Sequence, residues 1–369
     1  MEQHTTYGVF IANTGTPDEP EPDAVRVYLK RFLSHPRIRP MNNPLWDFIL
    51  NAFILPKRGI ASAEKYRTIW TDEGSPFSIE HAKLQNNLEG YLDRRLKGDG
   101  CSAIIRQAMS FGAPLIRDAV AELRDLGCDR LIVLPLYPQS AHSTTLAVKD
   151  DVEKTLNEIG WSVPCDFVDN YHDDAAYIEA LADTVRTAGF DASPESKDLL
   201  LMSYHSIPVR DIEAGDTYDK QTRKTSELIA ETLGLRDDAW TIGYQCRFDK
   251  SRSWLEPFTK DVLAKLADDG VGSREGRDDA GERGEREGGC ERGGNGGGGG
   301  RLFYMCPNFA VDCLETLYDI DHELKPFYLE KAEAAGHPVS DDGFRYVPCL
   351  NSSDAHVAAL AGVIMKHLG

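Results

Sequence analysis

Short apolar runs of four to seven residues alternate along this chain with longer segments whose apolar side chains recur at helical spacing, and no other feature constrains the fold as strongly. This is the pattern of parallel sheets whose strands are joined by crossover helices, an α/β architecture. In the first half the strand-like runs are Tyr7 to Ala12, Ala103 to Met109, Arg130 to Leu136 and Val163 to Val168. Helical patterns between them cover Asp23 to Leu33, Ser78 to Arg95, Pro114 to Leu126 and Thr145 to Ile159. In the second half, runs at Leu199 to Tyr204, Thr241 to Gln245, Leu302 to Met305 and Phe344 to Val347 alternate with helical patterns. Those helices are expected around Asp174 to Ala188, Asp219 to Leu233, Leu255 to Ala267 and Cys313 to Ala335. Two similar four-strand halves emerge, and Ser353 to His367 reads as a last helix with a Ser/Asp start signal that packs on either half.

Composition narrows the function classes. At 369 residues and 41% apolar side chains the chain can fill two cores of ordinary size. Its apolar stretches fall far short of the roughly 20 residues that a transmembrane helix needs. The N-terminus has no basic region followed by an apolar one, so the cytoplasm is the expected compartment. The 8 cysteines are scattered without a CxxC pair, as suits reduced thiols rather than a disulfide framework or a zinc site. A net charge of -19 speaks against a nucleic-acid partner, which would need a basic patch.

Residues 272–301 break the alternation. They hold almost no apolar side chain, end in a run of glycines, and carry seven acids against six bases with no aromatic ring to stack a base. Such a segment cannot bury enough surface to offset its ordering entropy, and reads as a surface insertion.

In open parallel sheets, ligands bind beyond the carboxyl ends of the strands. Four such ends carry distinctive strings, Asn13 to Pro20, Tyr137 to Thr145, Ser203 to Asp211 and Cys306 to Thr316. None is a GxGxxG or GxxxxGKS loop, which weakens a nucleotide site. His205 follows a strand and precedes Pro208, which ends the strand and keeps the imidazole at the sheet mouth. Asp312, Glu315, Asp319, His322 and Glu323 recur at spacings that place acids along one helical face. Crowded like charges raise one another's pKa values, which suits proton uptake. Gly74 to Pro76, with Lys57 and Arg58 upstream, offers a hydroxyl and cations for a carboxylate-bearing ligand, or a plain turn.

Taken together, the strings ANTGTPDEP, YRTIWTDEGSP, LPLYPQSAHSTT, SYHSIPVRDIEAGDTY, YQCRFDKSRSWLEP, MCPNFAVDCLETLYDID and YVPCLN resemble those of ferrochelatases, over essentially the whole chain apart from the insertion. The resemblance implies two Rossmann-like domains, each with a four-stranded parallel sheet flanked by helices and with a porphyrin in the cleft between them. The expected spans are 1–170 and 171–352, with the helix in 353–369 packing on the first. It implies that His205 and Glu315 carry the chemistry and meet the iron, with a relay through Asp312, Asp319 and Glu323. Arg58, Tyr66 and Ser75 fall where related enzymes contact porphyrin propionates, and Thr14 and Trp254 fall on the pocket lining. Departures stand at Ser110-Phe111, where a polar contact to substrate is expected in the family, and at Ser140 and His142. No cofactor beyond the substrate Fe(II) is expected, and no iron–sulfur cluster, because no cysteine-rich extension follows YVPCLN.

The chemistry explains the residue types. A free-base porphyrin holds two inner N–H protons and cannot admit a hydrated ion, so a catalyst must bend the ring, accept protons and strip water from iron. Imidazole and carboxylate are both bases and both ligands of Fe(II). The expected partners are therefore porphyrin and ferrous iron, with peripheral membrane contact allowed and no nucleic acid. The expected reaction is Fe(II) insertion into protoporphyrin IX. Its rivals are a coproporphyrin ferrochelatase, a cobalt chelatase, and a non-catalytic porphyrin carrier, which would need the cleft but no base.

Overall fold

The computed structural model describes residues 4–41, 43–245, 252–272 and 300–368, so nearly all of the insertion read at 272–301 lies outside the described residues. Eight strands form two sheets. The first contains β1 (Thr5–Asn13), β2 (Cys101–Met109), β3 (Arg130–Pro135) and β4 (Cys165–Phe167). The second contains β5 (Leu199–His205), β6 (Trp240–Gln245), β7 (Leu302–Met305) and β8 (Phe344–Val347). Every pairing is parallel, and the orders β2-β1-β3-β4 and β6-β5-β7-β8 are one topology used twice.

The helices are α1 (Pro22–Ser34), α2 (Pro44–Ile49), α3 (Leu55–Ile69), α4 (Pro76–Arg95), α5 (Ile116–Asp125), α6 (Thr145–Glu158) and α7 (Ala175–Thr187). After them come α8 (Val209–Glu213), α9 (Tyr218–Leu233), α10 (Thr259–Asp268), α11 (Leu314–Tyr318), α12 (Lys325–Ala334) and α13 (Asp354–Met365). Local chemistry sets many of their ends. Proline opens α1, α2 and α4, where its missing N–H costs nothing. The Asp174 carboxylate caps α7, and Ser353 caps α13. Gly234 closes α9 at φ 67°.

Side-chain alternation along the strands divides the core into layers. Val9 and Ile11 of β1 share one buried cluster with Leu200 and Met202 of β5, Phe303 of β7, Leu84 and Leu88 of α4, and Leu360 of α13. Phe10 and Ala12 face the other way, toward a cluster with Val120 and Leu123 of α5. Leu201 and Tyr304 likewise face Leu263 of α10 and Tyr328 of α12. The two sheets thus meet through a common apolar layer, and α13 packs on both α4 and α7.

Three elements differ from the sequence reading. The helix expected from Leu255 starts at Thr259, because Leu255 N–H bonds Ile207 O at 3.0 Å and Tyr244 N–H bonds Pro257 O at 2.8 Å, committing that segment to extended pairing. Leu50–Ile54 is a π-helical join between α2 and α3. The rod expected over Cys313 to Ala335 is α11 and α12 fused through a π-helical segment, Asp319–Leu324.

The loops after β1 and β2 are laced together. Ser110 N–H bonds Asn13 O at 2.9 Å and Phe111 N–H bonds Thr14 O at 3.1 Å. Gly15 lies at φ +92°, where a Cβ would sit 2.7 Å from the Gly112 nitrogen, and one on Gly112 would sit 2.6 Å from Thr16 O. Gly15→Ala and Gly112→Ala are each expected to lower stability by about 1–3 kcal/mol. Chemical denaturation checks this, and an unchanged midpoint in both variants would contradict the close approach.

Candidate active site

Each sheet reverses direction of winding once, between β1 and β3 in the first and between β5 and β7 in the second, which is where open α/β sheets leave a crevice. The residues just beyond those four strands line one cavity: Thr14 and Thr16 after β1, Leu136 and Tyr137 after β3, His205 and Ser206 at β5, and Asn308 after β7. Its atom-free space is about 1370 Å³ including the part open to solvent. Tyr28, Phe32, Tyr66, Phe77, Trp254 and Phe309 supply aromatic walls.

His205 ends β5 and is only partly buried. Its Nδ1 lies 2.7 Å from the Ser206 carbonyl, which can only accept, so Nδ1 carries a proton and the lone pair of the neutral ring is on Nε2. The loop behind it is braced twice, by the Tyr218 hydroxyl donating to His205 O at 3.0 Å and by the pairing of Pro208 with Trp254. Glu315 enters the cavity from the first turn of α11, beside Cys313 and Leu314. Its charge acts on its neighbours. Burial, and after it the nearness of Glu315, pushes the Tyr66 phenol well above its ordinary range and raises the Cys313 thiol likewise, so both stay protonated. Tyr28 is raised by burial, then by Tyr66 and Glu315, and its hydroxyl donates to Gly15 O at 3.1 Å.

Of the residues expected from the sequence, Thr14, Tyr66, Ser75, His205, Trp254 and Glu315 line this cavity together. Arg58 does not. It lies eight residues before Tyr66 on α3, roughly 12 Å along the helix axis, on a partly exposed turn beyond the cavity. Nor do the three further acids of the expected relay line it. Asp312 is buried and spoken for: its carboxylate accepts from Thr316 at 2.9 Å, Tyr346 at 2.5 Å and Asn351 at 2.7 Å. Asp319 and Glu323 turn to Lys65 of α3, with Nζ donating at 3.0 and 2.6 Å. Ser110 and Phe111 brace the β1 loop rather than line the cavity, Phe111 packing edge-on to Phe32 at 5.1 Å. Ser140 and His142 are also set back, their backbone N–H groups held by Gln221 and Asp216.

Sequence reasoning passed over Tyr28, Tyr137, Arg37 and Arg252, all of which line the cavity. Tyr137 stands in the first position after the β3 run, which is a usable signal. Arg252, over the Trp254 ring at 4.9 Å, belongs to the string YQCRFDKSRSWLEP. Arg37, paired to Asp150 at 2.5 and 2.8 Å, has no local signature.

A sequence model described as Ferrochelatase matches residues 6–273 and 295–368. The chain belongs to the ferrochelatase family. Curated relatives agree: a ferrochelatase of Actinobacillus pleuropneumoniae serotype 5b is 37% identical over 357 residues, covering 97% of each chain. One of Nitrosococcus oceani is 36% identical over 361 residues, covering 98% of this chain and 86% of its own. Among solved structures, SirB from Bacillus subtilis with Fe3+ superposes with a TM-score of 0.55 at 8% identity, covering 98% of this chain and 95% of its own, a likeness of fold. The protein is therefore an enzyme of porphyrin metal chelation, with the two-sheet architecture read from the alternation. No helix among the described residues is long and apolar enough to cross a membrane.

Asp319 offers a test of the electrostatics beside the cleft. Burial and then Glu315 raise its pKa from 3.8 to about 6, against the opposing pull of Lys65. A carboxyl whose pKa is higher folded than unfolded contributes most below the unfolded value, and that contribution is lost as pH rises through about 6. Asp319→Asn is accordingly expected to gain stability relative to the parent between pH ~4 and ~6, measured as the difference in unfolding free energy across that window. A difference independent of pH would contradict the raised pKa.

Proposed function

We propose that this enzyme inserts Fe(II) into protoporphyrin IX to give protohaem, with His205 as the base for pyrrole protons and Glu315 as the facing carboxylate. One observation carries the reading: a histidine and a glutamate more than one hundred residues apart, from different strand ends, line a single aromatic-walled cavity. The Nε2 lone pair of His205 is placed to take an N–H proton, and Glu315 can meet the metal or hold a proton. Tyr66, Trp254 and the other rings would supply a clamp on the flat macrocycle, using binding energy from its periphery to bend the centre. Iron is substrate here, and neither a resident cofactor nor an iron–sulfur cluster enters the scheme.

Among the described residues, Arg37 and Arg252 are the guanidiniums of the cavity wall, Arg37 also bonded to Asp150, and they are suited to meet the carboxylate arms of protoporphyrin. The setting we propose is cytoplasmic. Phe48, Phe53 and Leu45, more than half exposed around α2, fit transient contact with an apolar surface such as a membrane.

Anaerobic metallation of protoporphyrin by Fe(II) or Zn(II), followed in the visible spectrum, tests the scheme. His205→Ala and Glu315→Ala are each expected to lower kcat about 100-fold or more. Full rates in both would remove them from the chemistry, and absence of metallation by the parent with any porphyrin would end the reading. Arg252→Ala and Arg37→Ala are expected to raise KM for protoporphyrin about tenfold while leaving a carboxylate-free porphyrin unaffected. Equal losses on both substrates would refute their pairing with the carboxylate arms.

A further inference from the structure

Two histidines that take no part in the proposed chemistry are wholly buried where α4 meets α13: His81 and His356, both 0% exposed. Their partners fix where each ring proton sits. The Asn13 carboxamide oxygen accepts from Thr14 N–H at 2.7 Å, so the amide nitrogen is the atom 3.2 Å from His81 Nε2. That nitrogen can only donate. His81 Nε2 therefore accepts, and the ring proton is on Nδ1. His356 Nδ1 lies 2.6 Å from Asn351 O, an acceptor, so Nδ1 carries its proton and Nε2 is a bare acceptor. The remaining nitrogens, His81 Nδ1 and His356 Nε2, are buried and have no partner among the described residues.

One of these is a donor and the other an acceptor, and a buried polar atom of either kind is costly to leave unsatisfied. α4 and α13 pack on each other along this seam, and His356 acts on His81. Burial and then His356 depress the pKa of His81 to about 3, and burial depresses His356 to about 4, so both are neutral near pH 7.

We propose that one buried water molecule accepts from His81 Nδ1–H and donates to His356 Nε2, and that the bridged pair holds the two walls of the cleft at their working separation. Buried waters take this role where polar groups converge without direct contact. On one side the chain of bonds runs from His81 to Asn13 and Thr14, whose hydroxyl bonds Tyr137 OH at 2.8 Å. On the other it runs from His356 to Asn351, whose carboxamide brackets Asp312 through bonds of 2.8 and 2.7 Å, three residues before Glu315. His81 and His356 are thus positioning residues. The claim about the cleft rests on its reading as the porphyrin site.

The test uses the full-length protein labelled with 15N-histidine and long-range 1H–15N correlation at pH 7. Signals are assigned through His81→Phe and His356→Phe, or through the ring contacts to Phe77 at 5.1 Å and Tyr177 at 6.2 Å where a variant does not fold. Both rings are expected as the neutral Nδ1–H tautomer, with a cross-peak from His81 Nδ1–H to a long-lived water. An Nε2–H or doubly protonated pattern in either ring overturns the bridge. In turnover, His81→Leu and His356→Leu are each expected to raise KM for porphyrin several-fold with kcat changed by no more than about twofold, and the double variant to be no worse than the poorer single. Multiplied effects, or a fall in kcat at constant KM, would refute the strut. A parent enzyme that metallates no porphyrin would instead refute the functional reading while the tautomer result stood.

Discussion

Val9 and Ile11 of one sheet and Leu200 and Met202 of the other lie in the same buried layer, and the position of everything catalytic depends on that contact. Strands of a parallel sheet are apolar on both faces, so each sheet must be covered twice. Helices cover the outer faces here, α5 on one side and α10 with α12 on the other. The inner faces are joined through α4, α7 and α13 in a common layer. Because both sheets use one strand order, their two crevices open into a single cavity. A porphyrin is flat and wide, and a slot between two such edges is a shape that one sheet alone would not provide.

The electrostatics of the slot turn on where negative charge is allowed to remain. Asp319 and Glu323 share Lys65, whose ammonium burial would weaken but whose pKa the two carboxylates hold above its usual value. Asp312 is surrounded by three donors. Arg37 is matched by Asp150. Two carboxylates line the cavity among the described residues: Asp211 of α8, whose pKa burial raises, and Glu315, with Tyr28, Tyr66 and Cys313 around it all held in neutral form. A dication entering at the Glu315 end meets a carboxylate among uncharged groups rather than a cluster of unpaired buried charges.

How much of this could be read from residues alone differs between fold and site. The eight strands were visible because a buried parallel strand is a continuous apolar run, and their ends agree with the runs to within one or two residues at nearly every edge. His205 stood out because it ends such a run, and Glu315 through its acidic spacing on the helix after β7 together with the resemblance to the family; both line the cavity. Arg58 falls outside the cavity lining because a helix carries side chains away from a site at ~1.5 Å per residue, and nothing local distinguishes the turn that faces the cavity from the one beyond it. The acidic spacing showed the pattern but not the partner, since Lys65 lies 254 residues from Asp319 and no periodicity announces it. Leu255 to Phe258 had helical spacing, yet extended pairing with the His205 loop took precedence over it.

The acidic run serves two purposes along two kinds of helix. Glu315 stands in the α-helical turn of α11 and lines the cavity, while Asp319 and Glu323 lie in the π-helical segment and both bond Lys65 of α3. Bonding from i to i+5 widens that turn, and residues four apart in it still fall close enough in angle to share one ammonium. Lys65 thereby ties the helix that carries Glu315 to α3, the helix that supplies Tyr66 to the same cavity.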